Sequence, residues 1–101
     1  MILYNVTINI DEEKEDEFIE WMKSNHIPKV MNTGLFFEFR FFRLLQENNG
    51  DGVNYATQFY AQTLEELERY QGRYAEDLRK EFKDKFGSHF VSFRTVLESV
   101  E

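Results

Sequence analysis

Residues Ile2 to Ile10 alternate strictly: Ile2, Tyr4, Val6, Ile8 and Ile10 are apolar on one parity, and Leu3, Asn5, Thr7 and Asn9 are mostly polar on the other. A period of two predicts a β-strand with one buried face. The pattern then changes to a helical one. Asp11 stands where a cap is needed, and Glu12, Glu13, Glu15, Asp16 and Glu17 crowd the first turns, where the helix dipole favours acids. Phe18, Trp21 and Met22 add an apolar stripe at helical spacing. Pro28 predicts that this helix does not run unbroken to residue 32, because proline lacks a backbone donor and its ring meets the preceding turn. Ile27, Val30 and Met31 predict a second short turn, closed by Asn32, Thr33 and Gly34.

The run from Gly34 to Leu45 is apolar on both parities. Read as one strand, it sets Leu35, Phe37, Phe39 and Phe41 on one face and Phe36, Phe42 and Leu44 on the other, around Glu38 and Arg40. The cluster from Glu47 to Gly52 predicts a turn, so this strand and Val53 to Ala61 form an antiparallel hairpin. Thr63 and Glu66 have capping-box spacing. Leu67, Tyr70, Tyr74, Leu78 and Phe82 mark the buried side of a long helix, with a weak point at Gly72 and an end at Gly87. His89 to Val100 predicts a last strand.

The element order is therefore β-α-β-β-α-β, the ferredoxin-like α+β arrangement, with a four-stranded antiparallel sheet and both helices on one face, in one domain spanning 1–101. In such a sheet the uncovered face is polar. The first strand obeys, but Phe36, Phe42 and Leu44 predict an apolar patch on the face that the helices leave open. A twofold dimer, packed sheet against sheet, covers it; burying one such aromatic contributes about 4 kcal/mol before association costs.

The chain resembles the dimeric α/β barrel superfamily, and within it an uncharacterised bacterial family of roughly hundred-residue proteins with a domain of unknown function. The resemblance lies in the element order, in the passage from Trp21-Met22 through His26-Ile27-Pro28 to Gly34-Leu35-Phe36, and in the two-faced second strand. It implies a homodimer with a cavity between sheet and helices or inside the barrel, and it implies no reaction. Some members of the superfamily are cofactor-free monooxygenases or haem-degrading enzymes, and Asn5 resembles an asparagine in their sites. No histidine stands between Thr63 and Phe86, where those haem enzymes carry their axial ligand, and the single tryptophan, Trp21, lies on the first helix.

Charge and composition narrow the function. Nineteen acidic residues against twelve basic ones give a net charge of -7, which argues against nucleic acid as a partner, since a basic stripe is the usual footprint of phosphate binding. With no cysteine, disulfide and thiolate chemistry are excluded. No apolar run reaches the length of a membrane span and no signal sequence opens the chain, so a cytoplasmic protein away from membranes is expected.

Candidate chemistry is sparse. His26 is a candidate acid, base or ligand-binding group. Asn5, Thr7, Glu38, Arg40, Gln58 and Arg94 are expected on the open sheet face. There, Arg40 and Arg94 either bind a carboxylate or phosphate oriented by Asn5 and Gln58, or Glu38 and Arg40 neutralise each other at an interface. No metal or cofactor is expected: His26 and His89 lie far apart in sequence, and no nucleophile elbow or phosphate loop is present. The expectation is a homodimeric small-molecule-binding or structural domain without a catalytic motif. The alternative is a cofactor-independent monooxygenase-like or isomerase-like enzyme acting on a small aromatic or acidic metabolite.

Overall fold

Alternating side chains build the sheet, and the computed structural model, which describes residues 1–45 and 50–101, shows how its strands pair. Strands β1 (Ile2–Ile10), β2 (Glu38–Arg43), β3 (Val53–Ala61) and β4 (Phe90–Glu98) form one antiparallel sheet in the order β2-β3-β1-β4. This is the ferredoxin-like α+β architecture expected from the element order.

Ile2, Tyr4, Ile8 and Ile10 of β1 and Tyr55, Thr57, Phe59 and Ala61 of β3 are buried under the helices. At the centre of that core lies Phe18, whose ring meets those of Phe41, Tyr55, Phe82 and Phe86 at centroid distances of 5.2 to 6.1 Å.

The first helical segment departs from expectation in an instructive way. It begins as a 3-10 turn at Glu12–Lys14, continues as α1 (Glu15–Trp21), widens into a π-turn at Met22–His26 and resumes as α2 (Ile27–Met31). Pro28 therefore does not interrupt it. Proline occupies the first turn of α2, where a missing N–H is tolerated, and the wide turn before it absorbs the change of pitch. Asp11 makes no side-chain cap; its carboxylate pairs instead with His89 Nδ1 at 3.0 Å.

Thr63 does cap, accepting the Glu66 N–H at 3.2 Å. The long helix it starts is divided at Tyr74 into α3 (Leu64–Arg73) and α4 (Ala75–Phe86). Gly87 closes α4 with φ of 57° and its N–H on the Lys83 carbonyl. Of the predicted turn between β2 and β3, residues 47 to 49 lie outside the described residues. Its last member, Gly52, has φ of +90°, and a Cβ there would stand 2.5 Å from Asn9 Oδ1.

The second strand is shorter than predicted, and this corrects two face assignments. Pairing begins at Glu38, so alternation does not extend back through Leu35, Phe36 and Phe37. Phe36 is buried with Leu35, stacked on Tyr4 at 6.1 Å and against Tyr70 at 4.9 Å. It belongs to the core on the helix side. Phe37 is the exposed one, resting on Tyr60 of the open face. Phe39 and Phe41 pair with Phe59 and Thr57 and so face the helices as expected, whereas Phe42, opposite Ala56, faces away.

Candidate functional site

The two faces of the sheet carry different chemistry, and register decides which residue goes where. On the open face, Asn5 stands opposite Gln58, and Arg40 stands opposite Gln58 on its other side. Asn5 donates to Thr7 Oγ1 at 3.0 Å, and Tyr60 donates to Gln58 Oε1 at 3.1 Å. Arg40 Nη2 meets Glu38 Oε1 at 2.8 Å, so these two charges satisfy each other. Around this polar centre stand exposed Phe42 on one edge strand and exposed Val91, Phe93 and Leu97 on the other. Leu44, just past β2, is also exposed. The apolar contribution of β4 was missed in the sequence because its apolar parity, Val91, Phe93 and Leu97, is the set that alternation alone assigns to the helix side.

Arg94 is not on this face. It pairs with Val6, a helix-side residue of β1, so its side chain enters the layer between sheet and helices. There Arg94 and His26 both line a pocket with residues from both layers.

Each wall of the pocket follows from local structure. Tyr4, Val6 and Ile8 come from the inward parity of β1, and Phe90, Ser92 and Arg94 from that of β4. Leu78 with Phe82, and Arg79 with Phe82 and Lys83, share a side of α4, as residues three and four apart do on a helix. Ser92 is short where its neighbours are large, and Val6, although on the inward face, is left half-exposed. The result is a cavity of about 180 Å³ with aromatic walls and a cationic rim. Among the described residues, no aspartate or glutamate lines it.

His26 reaches the pocket because of the π-turn. There the Ile27 N–H donates to the Met22 carbonyl, five residues back, so residues five apart stack on one side. The imidazole lies on Trp21 with centroids 5.4 Å apart and meets the edge of Phe82 at 5.6 Å. Burial pulls its pKa down from 6.5 to about 4; Glu81 opposes this, while Lys29 and Arg94 add to it. The ring is therefore neutral at neutral pH. Its buried Nδ1 has no hydrogen-bond partner among the described residues. An orphaned lone pair is tolerated better than an orphaned N–H, which favours the tautomer protonated on Nε2.

Glu81 ties the turn to α4, accepting from Asn25 Nδ2 at 3.0 Å and Lys29 Nζ at 2.7 Å. The hydrogen bond from Lys29 holds its carboxyl below the usual range, assisted by Asn25.

At the rim, the Tyr4 hydroxyl accepts from Arg94 Nε at 3.0 Å and from Arg79 Nη2 at 3.2 Å. Tyr70 lies beside Tyr4, ring to ring at 5.8 Å, and burial holds its phenol protonated well above the ordinary tyrosine range. Arg79, Lys83, Tyr4 and Tyr70 were not singled out in the sequence, since the two cations resembled a solvated helix face and the tyrosines a core. Elsewhere, Asp11, Glu13 and His89 bring ligand-type atoms within 4.8 Å of one another at the start of the first helix; their geometry is accounted for by ion pairing to His89.

The fold and this layered pocket define a ferredoxin-like α+β protein. Solved structures share it over their full lengths. A dimeric ferredoxin-like protein from an uncultured marine organism is 12% identical, with 99% of this chain and 95% of that one covered and a TM-score of 0.77. An ethyl tert-butyl ether d family protein from Bacillus halodurans is 14% identical, with 99% and 100% covered and a TM-score of 0.72. An antibiotic biosynthesis monooxygenase is 12% identical, with both chains fully covered and a TM-score of 0.71. No curated protein matches. The chain belongs to the family called domain of unknown function DUF4286, which it matches over residues 1–100. Among the described residues, no helix is long and apolar enough to cross a membrane.

Proposed function

We propose that this protein is a homodimeric binding domain that holds a small organic anion between its sheet and its helices. The observation that carries the reading is the cationic rim of Arg79, Lys83 and Arg94 over an aromatic cavity that, among the described residues, no carboxylate lines. Small-molecule sites are mostly apolar concavities with a few convergent polar groups that fix orientation. All the strong polar groups here are cations or hydrogen-bond donors, a set that complements negative charge.

The dimer enters through the open sheet face. Exposed Phe42, Val91, Phe93 and Leu97 surround a polar centre that is already hydrogen-bonded and ion-paired, which suits a sheet-to-sheet interface with a neutralised middle. Asn5, Glu38, Arg40 and Gln58 then serve the interface, while His26 and Arg94 serve the pocket. One similar structure is of a protein described as dimeric. A thermal-shift screen of small organic anions tests the binding reading, because a ligand selective for the folded state raises the melting temperature. No shift with any of them at millimolar concentration refutes it. Light scattering at micromolar concentration tests the dimer, and a monomer mass for the folded chain refutes that part.

A second reading, cofactor-independent catalysis, is favoured by the neutral His26 imidazole on the cavity wall, whose Nε2–H can donate to a bound substrate. With its pKa near 4 it is a weak base, so binding is the first reading. Product formation from a bound aromatic acid, lost in His26→Gln, would reverse that order.

A further inference from the structure

We infer that the pocket is a receptor for a single-ring aromatic carboxylate, in which the Tyr4 hydroxyl is the donor that selects the carboxylate; this rests on the small-anion reading above. Tyr4 is 3% exposed and packed against the rings of Phe36 and Tyr70, which also meet each other. Its oxygen accepts two guanidinium N–H groups, from Arg94 and Arg79. A phenol that has accepted twice can only donate further, and no acceptor among the described residues meets that proton. The donor is held in place and unused.

Among the described residues, six of the twelve lysines and arginines are paired with a carboxylate: Lys29, Arg40, Arg43, Arg69, Lys80 and Lys85. Arg79 and Arg94 have none among the described residues, in a protein of net charge -7. They converge on one neutral oxygen instead. Arg94 spends its Nε on Tyr4 and keeps its terminal N–H groups; Arg79 spends one terminal nitrogen and keeps the other with its Nε. Guanidinium forks match the two oxygens of a planar carboxylate, and the Tyr4 proton adds a further donor for one of the remaining lone pairs.

Behind this donor set, the walls are flat rings, among them Phe59, Phe82 and Phe90. The volume of about 180 Å³ is slightly above the roughly 150 Å³ apolar cavity that takes one benzene ring. A single ring bearing a carboxylate fits that space, with its acid at the rim and its ring inside.

The test uses benzoate, its neutral isostere benzamide and inorganic phosphate, titrated into the wild-type protein and into Tyr4→Phe, with Trp21 fluorescence and calorimetry as readouts. Trp21 is the single tryptophan and stacks on a residue of the pocket wall. Wild type is expected to bind benzoate about tenfold or more tightly than benzamide, and Tyr4→Phe to lose about tenfold for benzoate while keeping its benzamide affinity. Equal benzoate affinity in the two proteins overturns the role of Tyr4 and leaves the pocket reading intact. Binding of phosphate without benzoate overturns the carboxylate assignment but not the anion reading, and no binding of any probe overturns both. Should Tyr4→Phe fail to fold, Arg94→Lys keeps the charge and removes the fork. It is expected to weaken benzoate about tenfold, and undiminished binding there refutes the proposal.

Discussion

The imidazole of His26 lies on the indole of Trp21 with their planes 22° apart. Five residues separate them, and in a regular α-helix that interval turns the chain by about 140° beyond a full circle, onto another face. The π-turn brings them together and, in doing so, presents a neutral histidine to the cavity. Its burial has a measurable consequence for stability.

Protonation of His26 opposes folding. In the unfolded chain the imidazole takes up a proton near pH 6.5, whereas in the fold it does so only near 4. Between those values the unfolded state holds the extra proton, so stability falls as pH drops through that window, by about 3 kcal/mol at its acid end. Glu81, whose folded pKa is also depressed, loses its contribution only as pH falls below its unfolded value of 4.5, beneath most of the window. Urea titrations from pH 7.5 to 4.5 are expected to show this decline in wild type and a flatter profile in His26→Leu. An identical decline in both proteins contradicts the assignment.

Phe36 and Phe93 are both aromatic, yet their replacement has opposite signatures. Phe36→Ala removes a core ring that is 4% exposed and is expected to cost about 3–5 kcal/mol of folding stability. Phe93→Asp places a charge on the open face, where the ring is 62% exposed. It is expected to leave the monomer folded and abolish the dimer by sedimentation equilibrium. Retention of dimer mass in Phe93→Asp would mean that this face is not the interface.

Arg94 and Arg40 separate the two faces functionally. Arg94→Gln removes a rim cation and is expected to lower the affinity for a small organic anion by about tenfold. Arg40→Gln, on the far side of the sheet, is expected to leave it unchanged. Calorimetry on both variants decides the matter, and equal losses would move the binding site away from the helix side.

Two glycines differ in what a methyl group meets. At Gly52, φ is +90° and the new Cβ falls 2.9 Å from the Ile10 carbonyl oxygen as well as against Asn9. Gly52→Ala is therefore expected to destabilise by more than about 1 kcal/mol. At Gly72, inside α3, nothing lies within 4 Å, and Gly72→Ala is expected to stabilise by about 0.5–1 kcal/mol. Melting curves that reverse the order of the two variants would refute this.

Much of the fold could be read from residues alone. The alternation from Ile2 to Ile10 sets the buried face of β1, and Thr63 with Glu66 marks the start of α3. The misread residues are those where parity was extended without a pairing partner. Phe36 lies before the first paired residue of β2. Arg94 lies on the more polar parity of its strand, which alternation assigns to the open face, and a shift of one residue exchanges the faces. Only the pairing of Arg94 with Val6 resolves it. His26 was legible as a reactive type, but its company was not: Arg79 and Lys83 are separated from it by more than fifty residues, and helix packing alone brings them to the same cavity.

The widened turn at Met22–His26 also bears on how the chain tolerates insertions and deletions. A helix with one residue removed from Lys23 or Ser24 would recover α pitch and still keep the flanking rings on one side, since four α-helical steps come within about 40° of a full circle. Keeping all five residues but forcing α pitch, for instance with alanines, would leave the imidazole about 140° around the helix from the indole. In this segment a change in length is absorbed, whereas a change in winding dismantles the pocket wall.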